Sequence, residues 1–238
     1  TTWYESGKKK SEVLWKNGKL EGLETWWFES GKKKSETPYK NGEQEGLETT
    51  WYESGNKKSE VLWKNGEAEY SRRWYESGNK KYEVLYKNWE QEGLETIWAT
   101  SWYESGKKKY ETPLREGLEI YWYESGKKRG EVPYKYGQKE GLGTRWYESG
   151  GREYELPYKN GKGEGLKTGW YESGKKKYET PYKNGEQEGL ETTWYESGKK
   201  KSEVLWKNGK QDGIRKEWDE EGKKTFQGNF VDGVEEIK

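Results

Sequence analysis

The sequence predicts an all-β fold: an elongated single-layer antiparallel β-meander of about ten 24-residue β-hairpin repeats. Three observations carry that prediction. A Trp-Tyr-Glu-Ser-Gly core recurs from end to end, with tryptophans at Trp3, Trp27, Trp51, Trp74, Trp102, Trp122, Trp146, Trp170, Trp194 and Trp218. Self-similarity at a fixed spacing of this size is the signature of a repeat architecture. Within each unit, aromatic and β-branched residues alternate with polar ones, which is the two-residue period of a strand. The alternation is punctuated by Glu-Ser-Gly and Lys-Asn-Gly, both hairpin-turn signals.

Composition alone would argue against folding, because only 28 of the 238 residues are Leu, Ile, Val or Phe. The 16 tryptophans and 20 tyrosines outweigh that shortage. Each large aromatic buries on the order of 150–250 Å², and here they fall at fixed phases of the repeat. Charged residues make up 37% of the chain, yet the net charge is +1, so bulk charge points to neither nucleic acid nor membrane. Cysteine is absent, which excludes a disulfide framework. No apolar run approaches the length needed to span a bilayer as a helix.

Taken in order, residues 1–66 are regular, 67–121 irregular, 122–217 regular again, and 218–238 resemble a C-terminal cap. The chain begins at Thr1 in mid-repeat. Repeat three replaces Gly-Leu with Tyr70-Ser71. Repeat four carries Trp89 where a turn glycine belongs, with extra residues around Ile97-Trp98-Ala99-Thr100, and repeat five is short. A local bend or loop is expected between about residues 66 and 120, with the Ile97–Thr100 excess bulging out. In the last repeat Asp219 replaces tyrosine, and Phe226, Phe230 and Asp232-Gly233 follow.

Parity chooses between turn types. With three-residue loops at both Glu53-Ser54-Gly55 and Lys64-Asn65-Gly66, the residues Leu47, Thr49, Trp51, Ser59, Val61 and Trp63 share one face. The turn glycine then takes a positive φ. Prolines Pro38, Pro113, Pro133, Pro157 and Pro181 fall near the second turn, and pairing is expected to lapse there because proline cannot donate to a ladder. About twenty strands result.

Repeats such as Trp170-Tyr-Glu-Ser-Gly-Lys-Lys-Lys…Tyr182-Lys-Asn-Gly-Glu-Gln-Glu-Gly-Leu190 resemble MORN-type repeats, in particular the bacterial MORN-2 variant of antitoxin-like repeat proteins. That resemblance covers essentially the whole chain. It implies stacked hairpins in an elongated sheet and a scaffold or interaction role, including antitoxin-like inhibition of a protein partner. It transfers no catalytic residue.

The side chains offer no catalytic constellation. With no His and no Cys, nucleophile–base pairs and the commonest zinc ligands are missing. No enzyme activity and no cofactor are expected. Two surfaces are candidates for binding. One is an aromatic face of Trp27, Trp51, Trp63, Trp146, Trp170, Trp194 and Trp206, whose rings either cover one another or stack on a protein or glycan. Choline-binding repeats of cell-wall proteins, which also use aromatic β-hairpins, are the nearest analogy for such a binding groove. The other is a basic turn edge of Lys8, Lys32, Lys107, Lys127, Lys175 and Lys199, opposite an acidic edge that includes Glu43, Glu45, Glu186 and Glu188. The charged edges keep sheets apart, bind anions such as phosphate or lipid headgroups, or pack ribbon against ribbon. At the N-terminal edge, Trp3, Tyr4 and Trp15 leave strand and aromatic surface uncovered. There an upstream repeat or a second copy docked end to end is expected. The sequence thus points to a non-enzymatic scaffold for protein–protein interaction or self-assembly, with glycan or anion binding as the alternative.

Overall fold

The structure is a computed structural model that describes residues 1–89, 93–113 and 115–236, with side chains for all of these except 87–98. It is all-β, as expected, with 27 strands and no helix among the described residues. The count exceeds twenty because the residues flanking each Asn-Gly turn form separate two-residue strands, such as Glu43–Gln44 and Glu186–Gln187. The chain divides into two compact units, Thr1–Leu114 and Arg115–Lys238. Each is a single-layer antiparallel meander.

In a regular repeat, one strand (Gly189–Trp194) runs into the Glu-Ser-Gly loop and returns as another (Lys200–Lys207). The loop holds three residues, as parity required. Gly198 N–H bonds to Tyr195 C=O at 2.9 Å, Tyr195 N–H bonds to Lys199 C=O at 2.8 Å, and Gly198 has φ +91°. All ten such glycines, from Gly7 to Gly222, repeat this arrangement.

The shared face does not survive. Trp194 pairs with Lys200, but Thr193 pairs with Ser202, so Lys201 is an extra residue in a β-bulge. A bulge of one residue moves every later side chain to the opposite face. Leu47, Thr49 and Trp51 therefore share a face with Glu60 and Leu62. Ser59, Val61 and Trp63 join Thr50, Glu48 and Gly46 on the other. Trp206 is likewise opposite Trp194. The predicted grouping of Trp51 with Trp63 fails for this reason.

The second turn also differs. Lys64 pairs directly with Glu67 and Lys183 with Glu186, leaving two-residue loops. Asn184 at φ +53° and Gly185 at φ +90° are the pair of left-handed residues a type I′ turn needs. Asparagine tolerates this region better than other non-glycine residues. After the turn the returning strand carries two residues in excess: Tyr182 faces Gln187, then Glu179 faces Thr192, so residues 188–191 stand opposite Thr180 and Pro181. The ladder does lapse beside Pro181, where Glu188 N–H still reaches Pro181 C=O at 3.0 Å. The same gap occurs at Leu205, between the Trp206–Gln211 and Val204–Arg215 pairs. The extra residues create the gap, and proline is tolerated in it. Gly189, at φ +118°, sits there with the Pro181 ring 3.3 Å from where its Cβ would be.

In the irregular stretch, Lys80–Trp89 and Gly93–Trp102 extend to ten residues each and pair along their length. The excess does not bulge out as expected. Only Ile97 lacks a cross-strand partner in the register, while Trp98, Ala99 and Thr100 pair with Leu85, Val84 and Glu83. Ladder hydrogen bonds absorb the added residues as a longer hairpin. The turn that follows Trp89 lies outside the described residues.

The core is thin. Among the described residues, Val84, Ala99, Leu156 and Val204 are the buried apolar ones, supported by buried Thr37 and Thr180 on the same face, which we call the tyrosine face. The opposite, tryptophan face buries Thr25, Thr49 and Glu60.

Candidate functional site

The charged turn rows are built into the repeat stack. Each Lys-Lys-Lys run splits into three roles, set by its place at the loop and bulge. In the run after Gly198, Lys199 Nζ donates to Glu220 C=O of the next repeat at 2.7 Å. Lys200 pairs with Glu203 and lies 5.6 Å from the Trp218 ring. Lys201, the bulge residue, lies 5.4 Å from the Tyr195 ring. The Tyr195 hydroxyl then donates to Trp218 C=O at 2.8 Å. The same hydroxyl strut links Tyr171 to Trp194 and Tyr147 to Trp170, each at 2.7 Å. Of the predicted basic-edge residues, Lys32 and Lys127 also donate to turn carbonyls of the following repeat, at 2.9 and 2.8 Å. Lys8, Lys107 and Lys175 are exposed on the same kind of turn.

The acidic edge is similarly engaged. Glu45 accepts from Asn65 N–H at 2.6 Å and Glu188 from Asn208 N–H at 2.8 Å. Gly209 N–H bonds to Gln187 C=O at 3.0 Å beside it. Charge-assisted bonds of this kind are stronger than neutral ones, so these residue types recur because they stitch one turn to the next.

The predicted aromatic row is divided between faces. Trp27, Trp51, Trp146, Trp170 and Trp194 are half-buried on the tryptophan face, and cations lie over four of them: Lys9, Lys128, Arg152 and Lys176, at 5.2–5.9 Å. Trp63 and Trp206 lie on the tyrosine face. There Trp63 Nε1 donates to Glu48 at 2.7 Å, whereas the buried Trp206 Nε1 has no partner among the described residues. At the first strand, Trp3 and Trp15 are 59% and 61% exposed, and the Tyr4 hydroxyl is bonded to Trp27 C=O.

The expected sharing of one face by Leu47, Thr49 and Trp51 holds, but sequence reasoning did not offer the leucines of this tryptophan face as a binding row. Leu23 and Leu47 in the first unit, and Leu118, Leu142, Leu166, Leu190 and Ile214 in the second, are 42–49% exposed. Each follows a positive-φ glycine of the Gly-Leu step and faces a proline, a leucine or, for Ile214, Asn229. The recurring Gly-Leu was the available signal. Each such leucine lies four residues before a tryptophan in one strand, so alternation alone puts the two on one face.

The tyrosine face of the second unit carries a hollow of about 360 Å³ around Gly130 and Gly143, walled by Tyr121, Tyr154 and Tyr158. A Cβ at Gly143 would lie 2.7 Å from Tyr158 Cε2, so glycine is needed for that ring to lean in. Burial pushes the Tyr158 phenol above its ordinary value, and that of Tyr178 to about 12. Among the described residues, no cluster of three acidic or metal-ligating side chains could hold a metal ion.

A comparison with curated proteins finds no match. The family model for the MORN repeat variant matches nine segments: residues 1–17, 20–41, 44–65, 70–88, 115–136, 139–160, 163–184, 187–208 and 211–232. Each full-length match begins just before the Gly-Leu step or its counterpart and ends in the following Asn-Gly turn region. With its hairpins repeating across both units, the chain belongs to the MORN repeat variant family.

Proposed function

We propose that the protein is a non-enzymatic repeat scaffold that holds a protein partner along its tryptophan face, with the aliphatic row as the adhesive element. The observation that carries this reading is the half-exposed leucine at the same phase of successive regular repeats, on a sheet face with no second layer above it. A sheet buries its apolar face against another element, and recurring exposed apolar positions mark interaction surfaces. Covering the half-exposed row of the second unit would contribute roughly 1 kcal/mol per residue, enough in sum for a specific contact. The lysine and glutamate rows favour this reading over an anion-binding edge, because much of their charge is already spent within the stack.

The test is the triple variant Leu142→Glu, Leu166→Glu and Leu190→Glu. Exposed positions tolerate such changes at about 0.5 kcal/mol each, so circular dichroism and melting should stay near those of the native chain. Light scattering over a concentration series reads self-association, and cross-linking in the source cells reads other protein partners. Complexes of the native chain should be lost in the variant. Identical complexes in both proteins would refute the assignment.

A further inference from the structure

On the tyrosine face of the second unit, neighbouring repeats provide an internal comparison for the hollow. One repeat after Gly130 and Gly143, the corresponding residues are Tyr154 and Lys167. There the Lys167 ammonium lies 4.6 Å from the Tyr154 ring and 5.4 Å from the Tyr178 ring, so chain atoms fill the space above the sheet. At Gly130 and Gly143 both fillers are missing together, which leaves the hollow of about 360 Å³. Neither glycine is required by a turn. A Cβ at Gly130 would meet Thr144 C=O at 3.3 Å and Tyr121 Cδ2 at 3.6 Å.

We propose that this hollow receives an aromatic side chain of a protein partner, whose ring lies where the next repeat places its own Tyr154. The proposal rests on the partner-binding reading above and adds a contact on the opposite face. The walls suit a ring. Tyr121, Tyr154 and Tyr158 offer aromatic surface, and Lys139 and Arg145 already lie 5.4 and 6.0 Å from the Tyr158 and Tyr154 rings. A ring entering between them comes within the ~6 Å range of cation–π attraction. An anion is less well served, because Arg145 is paired with Glu153 at 3.4 Å and Lys139 lies 3.9 Å from Glu119. An aliphatic side chain would gain burial alone.

The experiment uses N-acetyl-tyrosinamide as the probe and N-acetyl-leucinamide as its control, with saturation-transfer NMR on the full chain. We expect ring-proton transfer at least threefold above that of the leucine amide. In Gly130→Tyr, which fills the hollow from within as Tyr154 does one repeat later, transfer should fall to the control level. A second measurement, amide shift mapping on the native protein, should place the perturbation at Gly130 and Gly143 and decides the matter should the variant not fold. Equal transfer from both probes, undiminished transfer to folded Gly130→Tyr, or shifts confined elsewhere would each overturn the proposal. The Leu142, Leu166 and Leu190 variant should bind the probe normally. Failure of the hollow and failure of the aliphatic row are therefore separable.

Discussion

The tyrosine struts give the most direct test of what couples one repeat to the next. Tyr171→Phe removes only the hydroxyl that donates to Trp194 C=O at 2.7 Å and leaves the ring under Lys177. The chain supplies its own control, because Phe28 occupies this phase naturally and keeps Lys34 over its ring at 5.9 Å. A hydrogen bond contributes about 0.5–1.5 kcal/mol net. Tyr171 is half-buried, so water can reach the freed carbonyl, and the lower half of that range applies. In a protein of this size, about 1 kcal/mol shifts Tm by roughly 2–4 °C, so one strut should be worth about 1–4 °C. Successive struts are two strands apart, about 10 Å, far enough for their effects to add. Replacing Tyr123, Tyr147, Tyr171 and Tyr195 together by Phe should therefore cost about 2–4 kcal/mol. The converse change, Phe28→Tyr, should stabilise. Chemical denaturation followed by circular dichroism reads all three proteins. A quadruple variant no less stable than the single one, or a Phe28→Tyr protein weaker than the native chain, would refute the struts as repeat couplers.

Three further outcomes follow from the same geometry. Gly198→Ala and Gly189→Ala both force a side chain to positive φ, at about 1–2 kcal/mol, but only at Gly189 does the new Cβ meet a proline ring, at 3.3 Å. Thermal melts should rank Gly189→Ala as the more damaging, and equal losses would contradict the packing of that glycine on Pro181. Trp63→Phe breaks the bond to Glu48, whereas Trp206→Phe removes a buried N–H that has no partner among the described residues. The first should cost about 1 kcal/mol more than the second, as read by denaturation midpoints. Burial raises the Tyr178 phenol to about 12, so the folded state holds a proton that the unfolded chain releases near 10. Stability from this group is complete below pH ~10 and declines as pH rises toward ~12. Tyr178→Phe should flatten that part of an alkaline denaturation curve, and an unchanged curve would show that Tyr178 is not responsible.

Much of the fold was legible because it is local. The Glu-Ser-Gly loop closes through Tyr195, Gly198 and Lys199, neighbours in sequence, and a glycine at positive φ is demanded by chain sterics alone. The repeat spacing, the strand character and the length of this first loop followed, whereas the Asn-Gly loop holds two residues and not the expected three. The candidate site was less legible. Lys32, Lys127 and Lys199 read as a basic edge because sequence shows charge and not partners, yet each ammonium reaches a carbonyl about twenty residues ahead. The aromatic row was misgrouped at one position, the bulge at residues such as Lys58 and Lys201, whose lysine has no turn signature.

An antiparallel array of aromatic hairpins was already specified by the order of residues, because period, alternation and turn glycines are properties of short stretches of chain. Which side chains share a face across the bulged loop was settled only in the folded sheet. The reason is geometric: strand side chains alternate with a period of two, so a single extra residue at each bulge reverses every assignment beyond it. That reversal sends Trp63 and Trp206 away from Trp51 and Trp194. It also brings Gly130 and Tyr158 onto the face of Gly143, whereas Leu142, Leu166 and Leu190 share the other face with Trp146, Trp170 and Trp194 by alternation within single strands.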